Sequence, residues 1–244
     1  MFDHVTIRVA DRGASLRFYD TVLGALGIER THANGEFVEW GDFGLAAATA
    51  AQPPTTGLHV GFGAASREQV DAFWRAGIEA GHADDGAPGP RPQYGPDYYG
   101  GFLRDPDGNS AEAVHHDAVR GGVDHLWIRV ADLDAAARFY ALVGEHAGFR
   151  RVGGEDDPKR VRFAGGGGSF SVVAEAPPTR NLHLAFPAAN GAVDSFHAAL
   201  TAAGHRDNGA PGERPVYHPG YYGAFVLDPD GNNVELVGHN RASA

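Results

Sequence analysis

The sequence of 244 residues predicts an α+β fold made of four βαβββ units. Two observations predict it. The second half of the chain repeats the first, since DHVTIRVAD at Asp3–Asp11 returns as DHLWIRVAD at Asp124–Asp132. Within each half, the spacing of apolar residues also changes repeatedly between that of a strand and that of a helix. We therefore predict two homologous domains, residues 1–117 and 123–244, joined through Ala118–Gly122.

The first unit begins with a strand, because Val5, Ile7 and Val9 alternate with polar residues. Asp11 or a neighbour can cap the helix that follows, and Gly27 ends it. The apolar residues at helical spacing are Leu16, Tyr19, Val22, Leu23 and Leu26. Residues 37–51 then predict two or three short strands joined by tight turns.

The second unit restarts after Pro53-Pro54 with a strand at Leu58–Phe62 and a helix that contains Phe73 and Trp74. Two final strands flank the turn Asp105–Gly108, in which proline presets one dihedral angle and glycine accepts positive φ. The second half repeats this order of elements, which gives four units in all.

Composition restricts the class of protein. The net charge of −11 comes without long runs of one sign, which argues against nucleic acid as a partner. The sequence has no cysteine, so any metal ligands are nitrogen or oxygen atoms. No apolar run approaches 20 residues, and the first ten residues do not have the pattern of a signal peptide. We expect a cytoplasmic protein with no membrane partner.

The motifs DHVTIRVAD, GLHVGF and YYGGFLRDPDGNSAE, with their counterparts in the second half, resemble the vicinal oxygen chelate superfamily. This family includes glyoxalase I, bleomycin and fosfomycin resistance proteins and type I extradiol dioxygenases. The resemblance covers nearly the whole chain. It implies two paired glyoxalase-like domains with curved mixed sheets. It also implies that metal ligands come from the first strand of each unit and the last strand of the second.

The residues agree with that implication. His4 and His59 lie on the polar side of their strands, and Glu112 lies between two alanines on a final strand. The predicted ligand sets are His4, His59 and Glu112 in the first half, and His125, His183 and Glu235 in the second. Two imidazoles and one carboxylate suit a divalent ion, with Fe²⁺ or Mn²⁺ favoured and Zn²⁺, Ni²⁺ or Co²⁺ also compatible. The alternative is a histidine that is only hydrogen-bonded.

Three residues are candidates for catalysis. His218 could act as an acid or base near a metal-bound substrate, or could be an exposed loop residue. Arg129 shares a strand face with His125 and could pair with an anionic substrate or with a neighbouring acid. Tyr222 could line the cleft and donate a phenolic hydrogen bond, although paired tyrosines often only pack.

The resemblance does not select one activity. Glyoxalase I has a fourth ligand where this chain has small residues around Ala46–Ala50, and Glu175 in the second half falls next to a Pro-Pro turn. The dioxygenase pattern has a tyrosine where this chain has Phe225. The sequence therefore favours a metal-dependent dioxygenase or lyase acting on a small oxygenated molecule, in a monomer or homodimer. The alternative is a metal-free protein that binds a small molecule without transforming it.

Overall fold

The computed structural model describes residues 1–119, 121–153 and 157–240. Within these residues the chain forms four successive βαβββ units, as the sequence predicts. Arg120, in the predicted joint, and residues 241–244, at the end of the second predicted domain, lie outside the described residues.

The two units of the first half have matching elements. The first unit contains β1 (His4–Val9), α1 (Arg12–Ala25), β2 (His32–Ala33), β3 (Phe37–Trp40) and β4 (Phe43–Ala47). The second contains β5 (Leu58–Gly63), α2 (Arg67–Glu79), β6 (Ala83–Pro90), β7 (Tyr99–Arg104) and β8 (Ser110–His115). The Asp11 side chain accepts a hydrogen bond from the Ala14 amide and caps α1, as predicted.

The second half repeats these elements. The third unit contains β9 (Val123–Val130), α3 (Leu133–Ala147), β10 (Arg150–Arg151), β11 (Arg160–Gly165) and β12 (Gly168–Ala174). The fourth contains β13 (His183–Pro187), α4 (Asn190–Ala202), β14 (Asp207–Glu213), β15 (Tyr221–Leu227) and β16 (Asn233–His239).

The units pair across the two halves of the chain. One mixed sheet of eight strands has the order β14-β15-β16-β13-β1-β4-β3-β2, so it joins the first and fourth units. The other has the order β10-β11-β12-β9-β5-β8-β7-β6 and joins the second and third units. The predicted ligand sets group residues of one half, whereas the sheets join units of different halves. A repeat shows which units are homologous, but it contains no information about which first strands pair.

The first strands form both junctions. β1 runs antiparallel to β13, and β5 runs antiparallel to β9. The chain passes from β8 to β9 through only a short joint, and these strands flank β5 in one sheet. The longer connections 48–57 and 175–182 lead from one sheet to the other.

Hydrogen bonds between units of the same half connect the two sheets. The Tyr19 hydroxyl on α1 donates to Asp105 in the turn between β7 and β8, at 3.0 Å, and both residues are buried. Asp105 also accepts from the Asn109 backbone and side chain. Tyr140 and Asp228 repeat this contact in the second half, at 2.9 Å. Helices α1 and α2 pack together, as do α3 and α4.

No helix in the described part of the chain is both long and apolar enough to cross a lipid bilayer.

Replacing Tyr19 with Phe should destabilise the fold by about 1–3 kcal/mol, because Asp105 loses a donor where water cannot replace it. The free energy of unfolding in urea at neutral pH measures this effect. Tyr99→Phe is the matched control, since it removes a hydroxyl that donates to Asp71 near the surface. Equal losses in the two variants would contradict the prediction.

Candidate metal centres

Six predicted ligands converge in two clusters, and each cluster takes residues from both halves. His59, Glu112 and His125 form one cluster, which we call the cavity centre. His4, His183 and Glu235 form the other, which we call the second centre. The ligand types are those that the sequence predicts, but His4 and His125 are exchanged relative to the predicted sets. The exchange follows from the pairing of β1 with β13 and of β5 with β9.

The three side chains of the cavity centre meet at the junction of β5, β8 and β9. His59 Nε2 lies 2.9 Å from Glu112 Oε2 and 3.3 Å from His125 Nε2. His125 Nε2 lies 3.2 Å from the same carboxylate oxygen. Gly61 is the direct cross-strand partner of His125, and a Cβ there would lie 2.3 Å from the imidazole ring. The glycine therefore makes room for the ring.

Asp124 orients His125. Its carboxylate accepts a hydrogen bond from His125 Nδ1 at 3.0 Å, and its other oxygen contacts His116 Nε2 at 3.1 Å. Neighbouring residues of a regular strand point to opposite faces, but β9 has an irregularity here that leaves Asp124 without a strand partner. Such a bulge redirects side chains near a site. Asp124 is not among the residues predicted from the sequence, although the repeated Asp-His pair at Asp3-His4 and Asp124-His125 was a usable signal.

The Glu112 carboxylate is held at both oxygens. Tyr98 donates to Oε1 at 2.8 Å, which leaves Oε2 facing the two imidazoles. Burial alone would raise the pKa of Glu112, but hydrogen bonds from His125 and His59 outweigh it and lower that pKa to about 2. Burial alone would lower the pKa of His125, but Asp124 and Glu112 raise it to about 9. The two carboxylates thus stabilise positive charge at this point.

His59 is oriented by a hydroxyl. Its Nδ1 lies 3.1 Å from Ser110 Oγ, which donates to Asp85 at 2.7 Å. This places the hydrogen of a neutral His59 on Nδ1 and leaves the Nε2 lone pair directed at the centre. The Phe102 ring packs beside His59, with centroids 5.9 Å apart.

The second centre has the same arrangement of ligands, but one pair of ligand atoms lies farther apart. His4 Nε2 lies 2.9 Å from His183 Nε2 and 3.7 Å from Glu235 Oε2, and His183 Nε2 lies 3.1 Å from that oxygen. Tyr221 donates to Glu235 Oε1 at 2.7 Å. Burial is the main cause of the lowered pKa of His183, which favours the neutral ring that a metal requires.

A series of hydrogen-bonded side chains leads outward from the second centre. Asp3 contacts His4 Nδ1 at 2.9 Å and His239 Nε2 at 2.9 Å. His239 Nδ1 in turn lies 2.8 Å from His218 Nε2. At the cavity centre, Asp124 and His116 take the places of Asp3 and His239.

Both clusters have the donor set and spacing of a divalent-metal site. Two ligand atoms each bound at about 2.1 Å and at right angles lie about 3 Å apart. The separations of 2.9, 3.2 and 3.3 Å at the cavity centre agree with that arrangement. Metal-binding histidines usually donate their other ring hydrogen to a carboxylate or another oxygen, as His125 and His59 do here.

The cavity centre opens into a cavity of about 540 Å³. Trp127, Tyr94 and Phe102 form aromatic parts of its wall, and Arg129 and Glu175 lie further along it. Glu175 forms an ion pair with Arg129 at 3.3 Å and is not among the converging ligands.

The three residues predicted for catalysis have different positions. Arg129 lines the cavity, where it pairs with Glu175. His218 is partly exposed at the outer end of the series of side chains from the second centre, where it also contacts the Pro219 carbonyl at 2.8 Å. The Tyr222 hydroxyl does not join the ligand cluster but donates to Asp194 on α4 at 2.7 Å. Adjacent strand residues face opposite sides, and it is Tyr221 that faces the centre.

The fold and the two clusters define a protein of paired βαβββ units with candidate His-His-Glu metal sites between them. The family model described as Glyoxalase/Bleomycin resistance protein/Dioxygenase superfamily matches residues 1–113 and 122–236. The chain belongs to this superfamily. A search of the curated proteins finds no match.

Solved structures share the architecture. Glyoxalase I from Zea mays has a TM-score of 0.65 at 18% identity, covering 98% of this chain and 92% of its own. A candidate dioxygenase from Bacillus subtilis subsp. subtilis str. 168 has a TM-score of 0.65 at 13% identity, covering 99% of this chain and 86% of its own. At these identities the likeness concerns the fold alone.

The grouping of ligands across the halves predicts an unusual pattern of metal loss. After loading with Mn²⁺ and desalting, His59→Ala/His125→Ala should retain one metal ion per chain, because both changes fall in one centre. His59→Ala/His4→Ala should retain none. Elemental analysis measures both contents, with wild-type protein as the control. The reverse pattern would indicate that each half forms its own centre.

Replacing Asp124 with Asn should weaken metal binding at the cavity centre by about 10–100-fold, because His125 loses the carboxylate that orients it. The measurement is a competition titration with a chelator, in a His183→Ala/Glu235→Ala background that leaves one centre. Asp3→Asn is the matched control in that background, since Asp3 serves the second centre. Equal affinities for the two variants would contradict this role of Asp124.

Proposed function

We propose that the protein is a divalent-metal-dependent enzyme that binds a small oxygenated substrate at the cavity centre. The reaction would be of the extradiol dioxygenase kind or a related lyase or isomerase reaction. The observation that supports this most directly is that His59, Glu112 and His125 converge in the wall of a cavity of about 540 Å³. Two histidines and one carboxylate leave coordination positions open for a substrate.

The donor set suits Fe²⁺ or Mn²⁺ best, and Zn²⁺, Ni²⁺ and Co²⁺ are also compatible. When bound, such an ion supplies Lewis-acid polarisation of the substrate oxygens and stabilises negative charge that develops on them. The protein's part is orientation. Tyr98 fixes Glu112, Asp124 fixes His125, and Ser110 fixes His59.

The wall beside the centre suits a planar substrate. The Trp127 ring lies 6.2 Å from the His59 ring, and Tyr94 meets Trp127 edge to face at 5.8 Å. Aromatic rings next to the ligands would reduce the water around a bound substrate, which would strengthen electrostatic interactions at the centre.

The ligand count favours a chelating substrate over glyoxalase I chemistry. Glyoxalase I, which the sequence resembles, uses a fourth protein ligand, and Glu175 pairs with Arg129 instead of joining the cluster. An open position in place of that ligand would let a substrate bind through two neighbouring oxygens.

We assign catalysis to the cavity centre and only metal binding to the second centre. His218 lies outside the second centre, where it contacts His239 and packs against Tyr221. Arg129, by contrast, lies in the wall of the large cavity.

Activity should depend on one centre. Fe²⁺- or Mn²⁺-loaded protein is assayed against a panel of catechols by oxygen uptake, and against 2-oxoaldehydes and other vicinally oxygenated molecules by absorbance. Glu112→Ala should lower turnover by more than about a hundredfold, since losing a ligand costs more than losing an outer partner. Glu235→Ala is the matched control and should retain most of the activity.

Absence of turnover across the panel with metal bound would contradict the proposed enzyme. The aromatic cavity favours one other function, which is binding of a small molecule without metal. Tight binding that is unchanged by a chelator and by Glu112→Ala would support that function instead.

A further inference from the structure

One row of side chains crosses the cavity face of the second sheet. Strand register places neighbouring members on neighbouring strands, in the order Arg162, Ser171, Trp127, His59, Ser110 and Arg104. A ligand histidine and a tryptophan thus lie in the middle, with an arginine at each end.

The equivalent row of the other sheet has different chemistry. Its order is Glu39, Gly44, Thr6, His183, Asn233 and Leu227. The histidine is retained, but glutamate replaces one arginine, leucine replaces the other, and threonine replaces the tryptophan. The two centres therefore have the same types of ligand, but the side chains around them differ in charge and aromatic character.

The arginines of the cavity differ in their partners. Arg104 pairs with Asp85 at 2.6 Å and Arg129 with Glu175 at 3.3 Å. Arg162 donates to the Ser169 hydroxyl at 3.1 Å, and among the described residues it has no acidic partner. Within the described residues, its guanidinium is therefore not neutralised by an acid.

Arg160 provides a second cationic group beside Arg162. Its guanidinium lies 5.5 Å from the centre of the Trp127 ring. Its Nε forms an ion pair with Asp157 at 3.4 Å without a hydrogen bond, and no described acid pairs with its two terminal amino groups. Both arginines come from β11, on the side of Trp127 away from His59.

Among the acids of the cavity wall, Glu175 at the end of β12 is paired with Arg129, and the others lie away from β11. Asp97 and Asp117 belong to the loop before β7 and the joint after β8, and Asp124 is engaged with His125 and His116. Charge is thus segregated, with a basic wall on β11 and an acidic side near the joint.

We propose that the cavity centre takes a small aromatic substrate that carries a carboxylate. Arg160 and Arg162 bind the carboxylate, the ring lies against Trp127, and the remaining oxygens face His59, Glu112 and His125. Guanidinium groups bind carboxylates through strong charge-assisted hydrogen bonds. This assignment rests on the proposed function, because it uses the same centre.

The test compares 3,4-dihydroxybenzoate with catechol on Mn²⁺-loaded full-length protein by isothermal titration calorimetry. The acid should bind at least about tenfold more tightly, as one charge-assisted contact provides. Arg160→Gln/Arg162→Gln should remove that preference. Arg30→Gln, which removes an arginine stacked over Trp40 outside the cavity, is the matched control and should leave it unchanged.

Equal affinities for the acid and for catechol, or a preference that survives in Arg160→Gln/Arg162→Gln, would overturn the proposal. A second measurement separates it from the proposed function. In metal-free His59→Ala/Glu112→Ala protein, benzoate should still bind more tightly than benzamide if the basic wall selects the carboxylate. Failure of turnover would count against the enzyme, whereas loss of this preference would count against the carboxylate site.

Discussion

Antiparallel pairing of first strands from different halves determines where both centres form. Adjacent strands lie about 4.8 Å apart, so pairing β5 with β9 brings His125 within reach of His59, and the parallel neighbour β8 supplies Glu112. The same relation between β1, β13 and β16 builds the second centre. Every ligand set therefore depends on a junction between residues far apart in the chain.

The sequence predicted the units, the ligand types and the strand faces, because hydrophobic period and repeated motifs report these directly. It did not predict the grouping of ligands, since homologous first strands are equally able to pair within or across halves. Strand period also showed that Tyr221 and Tyr222 face opposite sides, but not which side holds the centre. Asp124 was missed because a bulge changes the direction that a regular strand would give it.

The hydrogen bonds around the two centres are more alike than the cavity walls. A hydrogen bond from a tyrosine to the glutamate, and one between an aspartate and a histidine, recur at both sites with distances between 2.7 and 3.0 Å. These contacts set the direction of each ligand lone pair, so they are needed wherever a metal binds. Two strands away, at Arg162 and Glu39, the side chains contact no ligand and differ in the sign of their charge.

The difference between Arg162 and Glu39 requires that the two halves be joined in one polypeptide. Two identical, unconnected half-chains could form the same sheets as a two-fold symmetric dimer, and both pockets would then be copies of each other. Any substitution in one pocket would appear in the other as well. Joining the halves in one polypeptide removes this symmetry, so the sheet beside one centre can carry Arg162 where the sheet beside the other carries Glu39.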